Sequence, residues 1–278
     1  MSESAKIHTF LVDSTMRDSA TYPSASSYRI PLPETLKEVR RVRLLSAEIP
    51  ASFYVFRAAT GTTTLHLGVY DASGTVASAA QTVTIPDGNY STDSMCAALA
   101  AGLNGLTFDE ALTFAVAVDP VTYRLSISTT PKRLVYVSTQ YTQNGEHPAF
   151  RWGLEYFLGF PAGTITTGAP CVAPSVVQLQ PYNYLVLDVP EINGLAECDR
   201  STRSAFAKIQ ITVDSFGTIV ISEDCCTFNT SYPNPHIAKL TSLTFNWRFL
   251  DGTPVDFNGA EHSFTLEIES CDNCYYPR

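Results

Sequence analysis

At 278 residues, with 45% of them hydrophobic, the chain is long enough for one large β-sandwich or two smaller ones and apolar enough to fill a core, which excludes general disorder. A net charge of −9 excludes a protein that wraps nucleic acid, because binding phosphates requires a surplus of Lys and Arg. Only 16% of residues are charged, below the share of about a quarter usual in soluble domains, so much of the surface is expected to be covered by partners.

The N-terminus lacks a basic region followed by an apolar run, so no secretory signal is expected, and no window approaches the roughly 20 apolar residues of a membrane-spanning helix. Strand-like stretches follow at residues 7–12, 28–32 and 39–49, separated by Pro, Ser and Thr clusters, with Pro31, Pro33 and Pro50 marking strand edges or ends. The segment up to about Pro33 has the composition of an extended arm that gains backbone partners by adding to a sheet. Lys37, Arg40, Arg41 and Arg43 form the only basic cluster, and Arg41 and Arg43 alternate with Val42 and Leu44 as an outward strand face would. This strip is a candidate docking surface for an acidic neighbour.

A helix is predicted from about residue 91 to 104, capped at Ser91, with Met95, Leu99 and Leu103 on one face and Gly105 at its stop. Phe114, Val116 and Val118, a turn at Asp119-Pro120, and then Tyr123, Leu125 and Ile127 predict a hairpin. A second helix is expected over about 148–158, with Gly159 after it. Alternation returns at Ala207, Ile209, Ile211 and Val213, then at Leu243, Phe245, Trp247 and Phe249, and finally at Phe264, Leu266 and Ile268. Asp251-Gly252 predicts a tight connection after the Trp247 strand. The expected fold is all-β, an antiparallel β-sandwich built from residues 1–56 and 173–278. Residues 57–172 then form a β-rich insertion or second sandwich carrying the helices.

The sequence holds no phosphate-binding loop, dinucleotide turn, His-Glu-x-x-His helix or Gly-x-Ser-x-Gly elbow, and its five histidines are scattered. Glu261-His262, at the start of a strand, is a pair that could do acid–base work, but neighbours on a strand point to opposite faces. Cys225 and Cys226 with Cys271 and Cys274 offer a weak zinc constellation, set against disulfides and, as the plain expectation, free thiols. No catalytic residue, bound metal or other cofactor is expected. Tyr275, Tyr276 and Arg278 end the chain without strand alternation and are of types enriched at protein interfaces.

Four stretches in order carry a resemblance: Val12-Asp-Ser-Thr-Met-Arg-Asp-Ser19, Tyr22-Pro23, Tyr28-Arg-Ile-Pro-Leu-Pro33 and Val42-Arg-Leu-Leu-Ser-Ala-Glu-Ile-Pro50. Together they resemble the N-terminus of capsid proteins of nucleocytoplasmic large DNA viruses, although Thr15-Met16 is inserted before Arg17. Further similarity lies at Pro86-Asp-Gly-Asn-Tyr-Ser91, residues 114–128, Leu158-Gly-Phe160, Leu250-Asp-Gly252 and Glu261-His-Ser-Phe-Thr-Leu266. The resemblance implies a minor capsid or vertex (penton) protein of a giant-virus particle, with jelly-roll sandwiches, assembled in the host cytoplasm. The implied partners are the major and minor capsid proteins and other copies of the chain, with no direct nucleic-acid contact. A glycan-binding attachment module and a β-rich polysaccharide hydrolase are the alternatives.

Overall fold

The computed structural model describes residues 5–75, 77–139, 153–161, 163–180, 182–192, 194–196, 204–212, 217–221, 230–249 and 252–271. The chain divides into two compact units, Met1–Phe53 with Tyr182–Arg278, and Tyr54–Pro181. The first unit opens with β1 (Ala5–Asp13), β2 (Ser27–Val39) and β3 (Arg41–Pro50). The second holds β4 (Thr64–Val69), β5 (Gln81–Thr84), α1 (Thr92–Asn104), β6 (Thr113–Val118), β7 (Leu125–Thr130), β8 (Val135–Ser138), α2 (Leu154–Phe157), β9 (Ile165–Gly168) and β10 (Cys171–Val172). The first unit then resumes with β11 (Tyr184–Asp188), β12 (Leu195–Ala196), β13 (Ser204–Ala205), β14 (Ala207–Gln210), β15 (Thr218–Ile221), β16 (Thr230–Ser231), β17 (Ile237–Arg248) and β18 (Ser263–Cys271).

In the first unit one sheet runs β1-β18-β3-β15 and the other β14-β11-β17-β2, all antiparallel. Numbered along the chain, the first of these strands pairs with the last, the second with the seventh, the third with the sixth and the fourth with the fifth. That nesting is a long hairpin wound into two sheets, a jelly roll. The N-terminal segment expected to be an arm therefore finds its backbone partners in its own chain, β1 on β18 and β2 on β17.

Period-2 alternation places the core. Tyr28 stands opposite Phe245, Leu187 opposite Trp247, Ala47 opposite Phe264 and Leu44 opposite Leu266, all buried in one cluster between the sheets. Phe245 and Phe264 meet edge to face with centroids 5.0 Å apart, the geometry favoured by the quadrupoles of the two rings. A slip of one residue would turn Thr265 and Glu267 inward, so the apolar face fixes the register. Arg248 is buried as well, although strand alternation sets it on the face opposite Trp247. Pro31 and Pro33 sit in β2, an edge strand, where a missing N–H costs no ladder bond.

The second unit contains the sheets β5-β4-β8-β9 and β10-β7-β6, with α1 packed on β6. Ser91 caps α1 in a reciprocal capping box with Ser94, and Met95, Leu99 and Leu103 are its buried stripe. The Asn104 side chain then exchanges hydrogen bonds with both backbone groups of Phe114, tying the helix end to β6. The predicted hairpin is β6–β7, but Tyr123 is not its first strand residue. Asp119 Oδ1 accepts from the backbone N–H groups of Val121 and Thr122, and the turn this makes leaves Tyr123 61% exposed with φ at 53°. The second expected helix is a single described turn, Leu154–Phe157, since residues 148–152 lie outside the described residues. Gly159 follows it at φ 89°, where a Cβ would lie 2.3 Å from the Ser175 carbonyl oxygen, so only glycine fits.

Candidate functional site

The resemblance-bearing turn after β1 meets the start of β18. Asp13 accepts from the backbone N–H of Thr15 at 2.8 Å and from its hydroxyl at 2.6 Å, which starts a short 3-10 turn over Ser14–Met16. Ser14 is fully buried. Its hydroxyl donates to the Glu261 carboxylate and accepts from the backbone N–H of His262 at 2.9 Å, while its own N–H donates to the His262 carbonyl at 2.9 Å. Arg17 completes the clamp, donating from Nε to the Tyr22 carbonyl and from one terminal nitrogen to the Ser14 carbonyl and to Glu261. The inserted Thr15-Met16 lies within this turn, leaving Met16 exposed and Ser14 and Arg17 in contact with Glu261.

These contacts set the electrostatics. The hydrogen bond from Arg17, with that from Ser14 behind it, holds the Glu261 carboxyl below the usual carboxylate range, and the bonds from Thr15 do the same for Asp13. Burial pushes the His262 imidazole below its ordinary value. That ring lies against Tyr28, Trp247, Phe257 and Phe264, with Nε2 3.0 Å from the Ala25 carbonyl oxygen. Beside the clamp an open cleft of about 250 Å³ is lined by Asp13, Thr15, Glu48, Pro50, Thr218, Glu261, His262 and Ser263.

Just ahead of β18 the Glu261-His262 pair splits, with Glu261 exposed and His262 buried. The arrangement does not suit nucleophilic catalysis, which needs an accessible hydroxyl bonded to an imidazole. Here the hydroxyl is buried and donates to a carboxylate, and the imidazole is bonded to a backbone carbonyl. The clamp joins the first strand to the last. Sequence inspection singled out Glu261-His262 and missed Ser14 and Arg17 as its partners. The available signal was the polar Asp-Ser-Thr-Met-Arg turn between two strand patterns.

The basic strip divides between the two sheets. Arg41 lies 3.0 Å from Glu267 and 3.2 Å from Glu269, and Arg43 lies 3.6 Å from Glu267, all partly buried on the outer face of the β1-β18-β3-β15 sheet. Cross-strand register produces these pairs, since Arg41 faces Glu269 and Arg43 faces Glu267. Ile7 and Thr9 of β1 extend the same two rows, and Leu11 stands beyond them. Lys37 is elsewhere, exposed on β2 opposite Lys239, and Arg40 links β2 to β3, its N–H donating to the Glu269 carbonyl. The structure thus joins Arg41 and Arg43 to carboxylates of their own chain.

Cys271 is buried at the end of β18 and is disulfide-bonded, not the free thiol expected. Cys225, Cys226 and Cys274 lie outside the described residues, as do Tyr275, Tyr276 and Arg278. Among the described residues no group of three or more His, Cys, Asp or Glu side chains is placed to hold a metal ion. No described helix is long and apolar enough to cross a membrane.

Strand nesting and burial define an all-β protein of jelly-roll type with a β-rich insertion between the third and fourth strands of the roll. The chain belongs to a family of unknown function, DUF5901, whose model matches residues 2–144. No curated protein matches it. Among solved structures it is similar to the penton protein of mavirus, at 10% identity and a TM-score of 0.53, over 96% of this chain and 99% of that one. A protein of the Sputnik virophage aligns over 96% of this chain and 98% of its own, at 10% identity and a TM-score of 0.46.

Proposed function

We propose that the chain is a structural protein of a large icosahedral DNA virus shell, a minor capsid or vertex (penton) component that works through protein–protein contacts and catalyses no reaction. The observation that carries this reading is the end-to-end likeness to the mavirus penton protein, which extends over the insertion as well as the roll. The N-terminal resemblance to capsid proteins of large DNA viruses supports it from the sequence. A low share of charged residues suits a surface largely covered by neighbours.

The proposed partners are major and minor capsid proteins and other copies of the chain, in particles assembled in the host cytoplasm. Lys37, Arg40, Arg41 and Arg43 and the terminal Tyr275, Tyr276 and Arg278 are the proposed contact residues. Quantitative mass spectrometry and cryo-electron microscopy of purified particles test this. A fixed copy number with density at a defined shell position is the expected result, and a pentamer at each vertex selects the penton role. Absence from washed particles would refute it. Particles carrying a chain truncated after Cys271 should contain less of it than those carrying the full chain.

A further inference from the structure

The outer edge of β1 is built differently from the other long edge of the roll. β2 carries Pro31 and Pro33, and its pairing with β17 breaks register between Leu240 and Ser242, devices that discourage a further strand. By contrast β1 runs nine residues in unbroken register with β18, contains no proline, and among the described residues has no strand on its other side. Its outward side chains include Ile7, Thr9 and Leu11, with Ile7 58% and Leu11 63% exposed. Such a strand is a template for one more antiparallel neighbour.

The order of those side chains identifies the neighbour. Thr9 is the midpoint of β1, with Ile7 two residues before it and Leu11 two residues after. Two copies of β1 placed antiparallel about a twofold axis at Thr9 bring Ile7 of each against Leu11 of the other and Thr9 against Thr9. On the opposite face the same register sets His8 against Phe10. The central outer-face pairs, Ile7 with Leu11 and Thr9 with Thr9, are apolar or a threonine pair, both favourable across strands, and Asp13 meets the small uncharged Ala5 at each end. The side chains Ile7, Thr9 and Leu11 carry no charge, so two chains of net charge −9 meet there without like charges opposed. We infer that β1 is a self-complementary docking edge through which two copies join their β1-β18-β3-β15 sheets into one continuous sheet about a twofold axis.

This contact is isologous and stands independently of the shell position proposed above. The test uses the purified full chain. Sedimentation equilibrium should show a dimer, and Ile7→Lys with Leu11→Lys should raise its dissociation constant at least about a hundredfold, since each buried aliphatic side chain contributes a factor of about ten or more. Circular dichroism checks that the double variant keeps its fold, as substitutions at exposed positions should. Mild oxidation of the Thr9→Cys variant should give a covalent dimer, because directly opposed residues sit about 5 Å apart between Cα atoms, within disulfide reach. Ile7→Cys should not, its two copies lying roughly 14 Å apart in this register. A monomer at high micromolar concentration, a pentamer, or a dimer that survives the double lysine variant would each overturn the inference while leaving a shell role intact.

Discussion

Arg17 holds three backbone and side-chain acceptors with one planar group, and its removal takes a hydrogen bond from the Glu261 carboxylate and from the Ser14 and Tyr22 carbonyls at once. Arg17→Ala should cost about 2 kcal/mol by urea unfolding, the usual range for hydrogen bonds to a charged group. Arg17→Lys should recover little of it, because an ammonium cannot reproduce the fork. His262 sets a pH dependence. With its folded-state titration pushed below 6.5 by burial, the unfolded chain takes up a proton first as pH falls through that value. Stability is therefore complete above about pH 6.5 and declines below it until the folded imidazole itself titrates. His262→Phe should flatten the plot of urea midpoint against pH in that window. The contributions of Asp13 and Glu261, whose values are lowered, are lost only in more acid solution, below their unfolded values of 3.8 and 4.5. An unchanged slope in the variant would remove His262 as its source.

At the scale of elements, α1 and β17 show how far local pattern carries. The Ser91 cap and the Met95, Leu99 and Leu103 stripe were legible because both depend on residues within about two helical turns of one another. Ser91→Ala should lower stability by about 1 kcal/mol in thermal melts, the typical value of a lost N-cap. The β17 face was legible for the same reason, and Trp247→Ala should cost about 3–5 kcal/mol by leaving a cavity among Phe257, His262 and Phe264. Tyr123 was misjudged because alternation alone does not say where a strand begins. The three hydrogen bonds accepted by Asp119 extend the turn by a residue beyond what the pattern shows.

For the whole molecule, the nested pairing means that the first strand closes the last. The His8–Ser270 hydrogen bond spans 262 residues, so this sheet is completed only when nearly the entire chain is in place. Deleting residues 1–13 should expose the β18 edge and the inner face of the sheet. The truncated chain is expected to lose cooperative thermal unfolding and to aggregate, as seen by light scattering. Were the segment a dispensable arm, the truncated chain would melt like the parent.

The sequence by itself determined the all-β class, the inward faces of β17 and β18, and the position of α1, because side-chain period and capping are properties of neighbouring residues. The tertiary structure alone decided which strands pair and therefore what the charged residues do. The sequence shows Arg41 and Arg43 as a basic strip, while the carboxylates they pair with lie more than 200 residues away in the chain and come beside them only through strand pairing. Ser14 and Glu261, separated by 247 residues, likewise become a clamp only when β1 lies beside β18. Sequence pattern records the face a residue takes, whereas its partner across a sheet is set by strand order and register, which depend on the free energy of the whole core.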